Sequence, residues 1–99
     1  KADDEKILLN WETLTESNTS SFILYRSING GEREEIAEIA AEYPTGGIYS
    51  HTDSDVSFGV DYAYYLEDLD LSRDPKHLYG PERAFIGWRM FLPLMTSGW

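Results

Sequence analysis

Acidic side chains are grouped at two places in the sequence where they could bind a cation. Asp53 and Asp55 lie in one turn, and Asp68 and Asp70 lie where a strand-like run gives way to a loop. Calcium takes about six to eight oxygen ligands from flexible loops, so these carboxylates could supply part of a site. The spacing is not that of an EF-hand, and a solvated acidic surface is the commoner role for such residues. Calcium binding and a solvated surface both stay open.

Histidine, serine and paired carboxylates give no catalytic pattern. His51 and His77 could share a metal only if the fold brought them together with a carboxylate, and polar surface positions are the commoner alternative. The sequence has no Gly-x-Ser-x-Gly nucleophile motif. Glu67 and Asp68 are neighbours in a strand-like run, so they point to opposite faces. We therefore predict that the protein is not an enzyme and binds no cofactor.

A possible modification site lies in a polar loop. Asn18-Thr19-Ser20 has the Asn-x-Ser/Thr pattern that accepts N-linked glycan in secreted proteins. Such triplets also arise by chance. Asn18 is therefore a glycosylation candidate, with an unmodified surface loop as the alternative.

Charge and composition restrict the partners. The 99 residues carry 18 Asp and Glu against 8 Lys and Arg, a net charge of −10, which repels nucleic acid and anionic lipid headgroups. No apolar run approaches the roughly 20 residues that span a bilayer, so we predict no membrane insertion. The absence of Cys excludes disulfides and thiolate-bound zinc. With 41% hydrophobic residues, the chain can form a packed core.

Short alternating runs separated by turn residues predict one all-β sandwich. In the first run, Ile7, Leu9 and Trp11 fall on one face and Leu8 falls on the other. Asn29-Gly30-Gly31 is typical of a tight turn. The predicted strands cover residues 6–12, 22–27, 34–39, 48–53, 60–69 and 77–85.

The segment over residues 32–43 is ambiguous because most of its residues favour helix. Ile36 and Ile39 give only a narrow apolar stripe, and the neighbouring runs have hairpin spacing. We therefore predict a short strand over residues 34–39 followed by an irregular stretch. Residues 71–76, which include Pro75, are predicted to form a polar loop.

Four segments, in order, resemble fibronectin type III domains of a subgroup found in bacterial secreted proteins. They are Leu9-Asn10-Trp11-Glu12-Thr13, Phe22-Ile23-Leu24-Tyr25-Arg26-Ser27, Tyr64-Tyr65-Leu66-Glu67-Asp68-Leu69-Asp70 and Tyr79-Gly80-Pro81. The resemblance covers about residues 6–84 and implies a fibronectin type III or immunoglobulin-like sandwich at an extracellular or cell-surface location. Val60-Asp61-Tyr62 also resembles the approach to the tyrosine corner, which implies that the Tyr62 hydroxyl bonds to nearby backbone. The fold by itself does not define a function.

The chain departs from this family pattern at its beginning. Only an acidic lead, residues 1–5, precedes the first run, so strand A of the family pattern is missing by this alignment. We expect a sandwich over residues 6–86 with an uncovered edge beside Ile7 and Leu9. The start at Lys1 fits either a processed mature chain or a boundary within a longer protein.

The apolar tail, residues 87–99, offers a strand for that edge. Met90-Phe91-Leu92-Pro93-Leu94 also resembles the ending of some bacterial secreted proteins. The tail could fill the gap in its own domain, or in a neighbouring copy by strand addition, which would build a filament. The predicted subunit contacts are Trp88, Met90, Phe91, Leu92 and Leu94 in the tail, with Ile7 and Leu9 opposite.

Two functions are consistent with these features. The first is a non-catalytic extracellular structural subunit that assembles with copies of itself by donating its C-terminal strand. The alternative is a C-terminal binding or spacer module of a larger secreted protein such as a hydrolase, with strand A supplied upstream.

Overall fold

The computed structural model describes residues 6–14, 18–43, 45–84 and 89–91, which contain seven strands and no helix. The strands are β1 (Ile7–Thr13), β2 (Ser21–Ile28), β3 (Glu34–Ala40), β4 (Gly47–Asp53), β5 (Tyr62–Leu69), β6 (Pro75–Ala84) and β7 (Arg89–Phe91). Four strands form one sheet in the order β3-β2-β5-β6, and three form the other in the order β4-β1-β7. The two sheets make a sandwich, which confirms the predicted all-β class.

The core lies between the inward faces of the two sheets. Alternate residues of β1 and β5 are buried there, as the period of two requires, and burial of each such large apolar side chain contributes about 1.5–3 kcal/mol. The Trp11 ring stacks on Tyr49 with centroids 5.4 Å apart and meets Phe22 edge-on at 6.0 Å. The face predicted to be shared by Ile7, Leu9 and Trp11 is buried. Five further side chains of β2 and β5 are buried as well: Phe22, Leu24, Tyr62, Tyr64 and Leu66.

Strand β3 confirms the interpretation of the ambiguous segment. Its residues favour helix locally, but β2 supplies a hydrogen-bonding partner from Ser21↔Ala40 to Arg26↔Glu34. Ile36 and Ile39 pack against the core. Asn29 and Gly30, at φ 51° and 77°, make the tight turn after β2. Pairing with β2 and partial burial of Ile36 and Ile39 outweigh the local helix preference.

Strand β6 begins two residues before the predicted strand, and the predicted last residue, Phe85, lies outside the described residues. It begins at Pro75, inside the predicted polar loop 71–76, because Pro75 pairs with Leu69 and fixes the first position of the strand. Gly80 lies at φ 114°, and a Cβ there would stand 2.5 Å from the Tyr64 carbonyl oxygen. The register with β5 shifts at this point, so Gly80-Pro81 bends the pairing without ending the strand.

The tail strand β7 pairs with β1 of the same chain. The pairing is parallel, with Leu8↔Arg89, Leu9↔Met90 and Asn10↔Phe91, while β4 pairs antiparallel along the other side of β1. The predicted position of the tail beside the first strand is therefore found within one chain. The acidic lead 1–5 and the rest of the predicted tail lie outside the described residues.

Candidate functional site

The edge of β1 is the place where the sequence predicts assembly. β4 pairs with β1 along its whole length, from Ile7 to Thr13, and the described residues of β7 pair with Leu8 to Asn10. Ile7 and Leu9 are fully buried and belong to the core cluster. The β1 edge therefore offers a tail strand its main-chain groups, while these two side chains serve the core.

The predicted tail contacts are only partly within the described residues. Met90 and Phe91 lie in β7, in register with Leu9 and Asn10. Trp88, Leu92 and Leu94 lie outside the described residues, so their roles stay predictions.

Two other sheet edges carry residues that discourage pairing. The outer strand β3 presents Glu34, Glu35 and Glu38, and β6 contains Pro75 and Pro81. Charge and proline are common means of blocking strand addition at an edge. The edge of β1, by contrast, accepts a strand.

A buried ionic cluster, here called the inter-sheet cluster, connects the two sheets. Its members are Arg26 on β2, Asp53 on β4, Tyr64 on β5, and Glu34 and Asp55 at the rim. The Arg26 and Asp53 side chains are only 6% and 5% exposed. Because Asp53 belongs to the other sheet, this pair stabilises the packing of sheet on sheet.

The Asp53 carboxylate accepts four hydrogen bonds, one of which comes from the main-chain N–H of Asp55 to Oδ1 at 3.1 Å. Arg26 Nη1 donates to its two carboxylate oxygens at 3.1 and 3.0 Å, and the Tyr64 hydroxyl donates to Oδ2 at 2.6 Å. Burial followed by the bond to Asp53 raises the pKa of Tyr64 far above its usual range. Burial disfavours the Arg26 cation, but the bond to Asp53 outweighs it and raises the pKa of Arg26.

The inter-sheet cluster borders an open cleft of about 340 Å³. Asp53 and Asp55 both face the Arg26 guanidinium here, so a metal ion at these carboxylates would meet a fixed positive charge. Within the described ranges, no group of three or more His, Asp or Glu side chains could hold a metal ion. The calcium prediction finds no geometric support in that part of the chain. The cleft is lined by Arg26, Glu34, Glu35, Ile36, His51, Asp53 and Asp55.

A second polar group, here called the hairpin cluster, lies where β5 and β6 meet at the loop between them. Its members are Asp68, Lys76 and His77, with Thr19 from the loop before β2. Asp68 is fully buried and the Lys76 side chain is 7% exposed. The His77 main-chain N–H donates to Asp68 Oδ1 at 2.8 Å. This cluster holds one edge of a single sheet.

The remaining candidate residues are placed apart from each other. His51 on β4 and His77 on β6 belong to different sheets. Asp70 Oδ1 accepts the N–H groups of Ser72 and Asp74 and so shapes the loop that follows β5. The fold therefore does not gather Asp53, Asp55, Asp68 and Asp70 into one site.

The sequon lies in the loop that leads into β2. Asn18 is half-buried, and Thr19 is buried and accepts a hydrogen bond from Lys76 Nζ at 2.9 Å. The Ser20 hydroxyl donates to the Asp70 carbonyl at 2.7 Å. Glycosylation at Asn18 stays a prediction.

The expected hydrogen bond between the Tyr62 hydroxyl and nearby backbone is present. The Ser57 N–H donates to the Tyr62 hydroxyl at 2.8 Å, which ties the loop before β5 to that strand. The sequence reasoning missed Arg26 and Lys76, although a signal for Arg26 exists. Arg26 follows Phe22 and Leu24 on the inward face of one strand, and a charge at such a position requires a buried partner.

Comparison of the chain with protein-family models, with curated proteins and with solved structures found no match. In the described residues, no helix is long and apolar enough to cross a membrane.

Proposed function

We propose that this protein is a non-catalytic, extracellular structural subunit that assembles with its own copies by exchange of β7. The observation that carries the proposal is the parallel pairing of Arg89–Phe91 with Leu8–Asn10. The extracellular location is proposed from the resemblance of the sequence to fibronectin type III domains of secreted proteins.

The same contact can be made within one chain or between two. Strand addition uses main-chain hydrogen bonds, and these do not depend on which copy supplies the strand. A tail that pairs with its own β1 therefore pairs equally well with the β1 of a neighbour. When each copy donates to the next, the contact does not close and a filament grows.

The connection to β7 is short. β6 ends at Ala84 in one sheet and β7 begins at Arg89 in the other. The five peptide steps between these residues reach about 17 Å when fully extended, and packed sheets lie about 10 Å apart. The connection can therefore reach from one sheet to the other within one chain, and a short connection of this kind invites swapping between copies where it is strained.

The pairing within one chain also favours the alternative function. A tail that stays on its own β1 completes a self-contained sandwich, which would suit a binding or spacer module of a larger secreted protein. The two functions differ in whether the β1–β7 pair joins one copy or two.

A disulfide across this pair tests the proposal directly. The chain has no Cys, so an Asn10→Cys, Phe91→Cys double variant introduces the only thiols. These positions are in register, and strands about 4.8 Å apart place the two Cα atoms within disulfide reach. The full-length variant is oxidised under native conditions and analysed on a non-reducing denaturing gel. Strand exchange predicts a ladder of linked chains that collapses to one band on reduction.

The matched control is Asn10→Cys with Ser50→Cys. Asn10 pairs with Ser50 inside the β1–β4 ladder, so this disulfide forms within one chain in both functions. If the β1–β7 variant gives only internally linked monomers at every protein concentration, the structural-subunit proposal is wrong and the module is favoured.

A further inference from the structure

The hairpin cluster places an amine and a carboxylate side by side in the protein interior. Lys76 Nζ lies 3.8 Å from Asp68 Oδ2, beyond hydrogen-bonding distance, and donates instead to Thr19 Oγ1 at 2.9 Å. Asp68 is fully buried and the Lys76 side chain is 7% exposed. Charged groups this deeply buried are costly even when paired. The ion pair is close but lacks a direct hydrogen bond.

The surroundings of Asp68 favour attack on its carboxyl carbon. The His77 main-chain N–H donates to Oδ1 at 2.8 Å, where it can stabilise negative charge that develops on that oxygen. The His77 ring nitrogen Nδ1 lies 3.3 Å from both carboxylate oxygens, within reach for proton transfer. Two paired strands hold the reacting groups together, so the reaction is intramolecular and avoids the entropic cost of bringing two molecules together.

We propose that Lys76 and Asp68 condense to an intramolecular amide bond. Proton transfer within the pair gives an uncharged amine and a carboxylic acid. The Nζ–Cγ bond forms, Oδ1 carries the negative charge beside the His77 N–H, and the Cγ–Oδ2 bond then breaks. Oδ2 leaves as water with two protons, and both are balanced by protons lost from Lys76 Nζ. The first passes in the initial transfer within the pair, and the second can reach Oδ2 from the His77 ring, 3.3 Å away, which is reprotonated by the proton that Nζ releases. No oxidant, reductant or other reactant is consumed.

The condensation converts two buried charges into one neutral amide, which removes the cost of keeping both charges from water. It also joins β5 to β6 at the loop end of that pair, next to Leu69↔Pro75. β6 is the strand that leads to β7. If the proposed strand exchange operates, tension on a donated tail would peel β6 from Ala84 toward Pro75, and the amide bond would stop the opening.

Mass spectrometry of the denatured full-length chain tests the bond. The amide predicts an intact mass lower than that of the sequence by one water. Trypsin cleaves after Arg73, between the two residues, so the bond predicts that peptides 34–73 and 74–83 remain joined and that cleavage after Lys76 is blocked. Loss of water elsewhere would not join these peptides.

Lys76→Arg is the matched control, because it keeps the positive charge but cannot form the amide. Asp68→Ala removes the carboxyl group. Both variants are expected to show the full mass and separate peptides. A wild-type chain of full mass after purification and prolonged incubation at neutral pH overturns the proposal. The measurement is made on single denatured chains, so its result does not depend on strand exchange.

Discussion

The inter-sheet cluster and the hairpin cluster both bury a carboxylate beside a cation, but the hydrogen bonds to the carboxylate differ between them. Asp53 accepts two close hydrogen bonds from Arg26 and one from Tyr64, and it connects two sheets. Asp68 accepts its closest bond from the His77 main chain, and Lys76 stands at 3.8 Å. Three of the four hydrogen bonds to Asp53 come from side chains, whereas the shortest bond to Asp68 comes from the backbone of its own hairpin.

This difference has a geometric origin. A guanidinium presents several donors in a fixed plane and suits a carboxylate on a facing sheet, whereas an ammonium is a compact charge on a flexible stem. The Asp53 pair can therefore fix how the sheets pack. The Asp68 pair lies within a hairpin whose ladder is already formed, and its amine donates to Thr19 rather than to the carboxylate beside it.

Arg26→Met should give the largest loss of stability of any substitution in either cluster. The methionine fills much of the same space but leaves Asp53 buried without its cation. Breaking a buried pair from one side costs about 3–5 kcal/mol. The free energy of unfolding from urea denaturation measures this loss.

The control for this variant adds Asp53→Asn to Arg26→Met. The double variant removes both charges, so most of the stability should return. A single variant that loses less than about 1 kcal/mol would show that Asp53 is solvated, and the inter-sheet cluster would then not hold the sheets together.

Two tyrosines on the same face of β5 allow a hydrogen bond to a charged group to be compared with a hydrogen bond between neutral groups. Tyr64→Phe removes the 2.6 Å bond to the Asp53 carboxylate and should cost about 2 kcal/mol, whereas Tyr62→Phe removes the bond from the Ser57 N–H and should cost about 1 kcal/mol. Both changes remove one buried hydroxyl, so each serves as the control for the other. If urea denaturation gives equal losses in the free energy of unfolding, the bond to the Asp53 carboxylate is no stronger than the neutral bond.

Much of the sandwich could be predicted because alternation along a strand is a local property. The alternation alone predicts that one face of β1 carries Ile7, Leu9 and Trp11, whichever strand pairs with it. The strand at Glu34–Ala40 was predictable from its hairpin spacing, although its residues favour helix. The bond between the Tyr62 hydroxyl and nearby backbone was expected from the sequence resemblance.

The two clusters could not be predicted because they depend on which strands meet. Arg26 finds Asp53 only once the two sheets are packed, and Lys76 is buried only because β6 starts two residues before the predicted strand. The tail posed a different difficulty. The pairing of β7 with β1 could be predicted because the sequence offers an apolar strand and an open edge, but the sequence does not say whether the two belong to the same copy.

His77→Ala should cost little, because the main-chain N–H of residue 77 still bonds to Asp68. The imidazole is 41% exposed and lies 3.3 Å from the carboxylate, so its removal should lower the free energy of unfolding by about 1 kcal/mol or less. A loss in the free energy of unfolding much smaller than that of Arg26→Met would support the view that the main-chain N–H holds Asp68. Losses of similar size in the two variants would show that the ring, rather than the N–H, holds Asp68.

The smallest effect is expected on the outer face of the same sheet, where the Tyr25 hydroxyl donates to Glu67 Oε1 at 2.7 Å. Burial, and then the bond to Glu67, raises the pKa of Tyr25 from 10.0 to about 12. Because the folded-state pKa is the higher one, the stabilisation by neutral Tyr25 is complete below pH 10.0 and is lost as the pH rises toward about 12. The stability advantage of the wild type over Tyr25→Phe should therefore shrink across this window in urea denaturation. Glu67→Gln, which removes the negative charge, should lower the pKa of Tyr25 toward its usual value. An advantage that stays constant across the window would show that the bond to Glu67 does not form in solution.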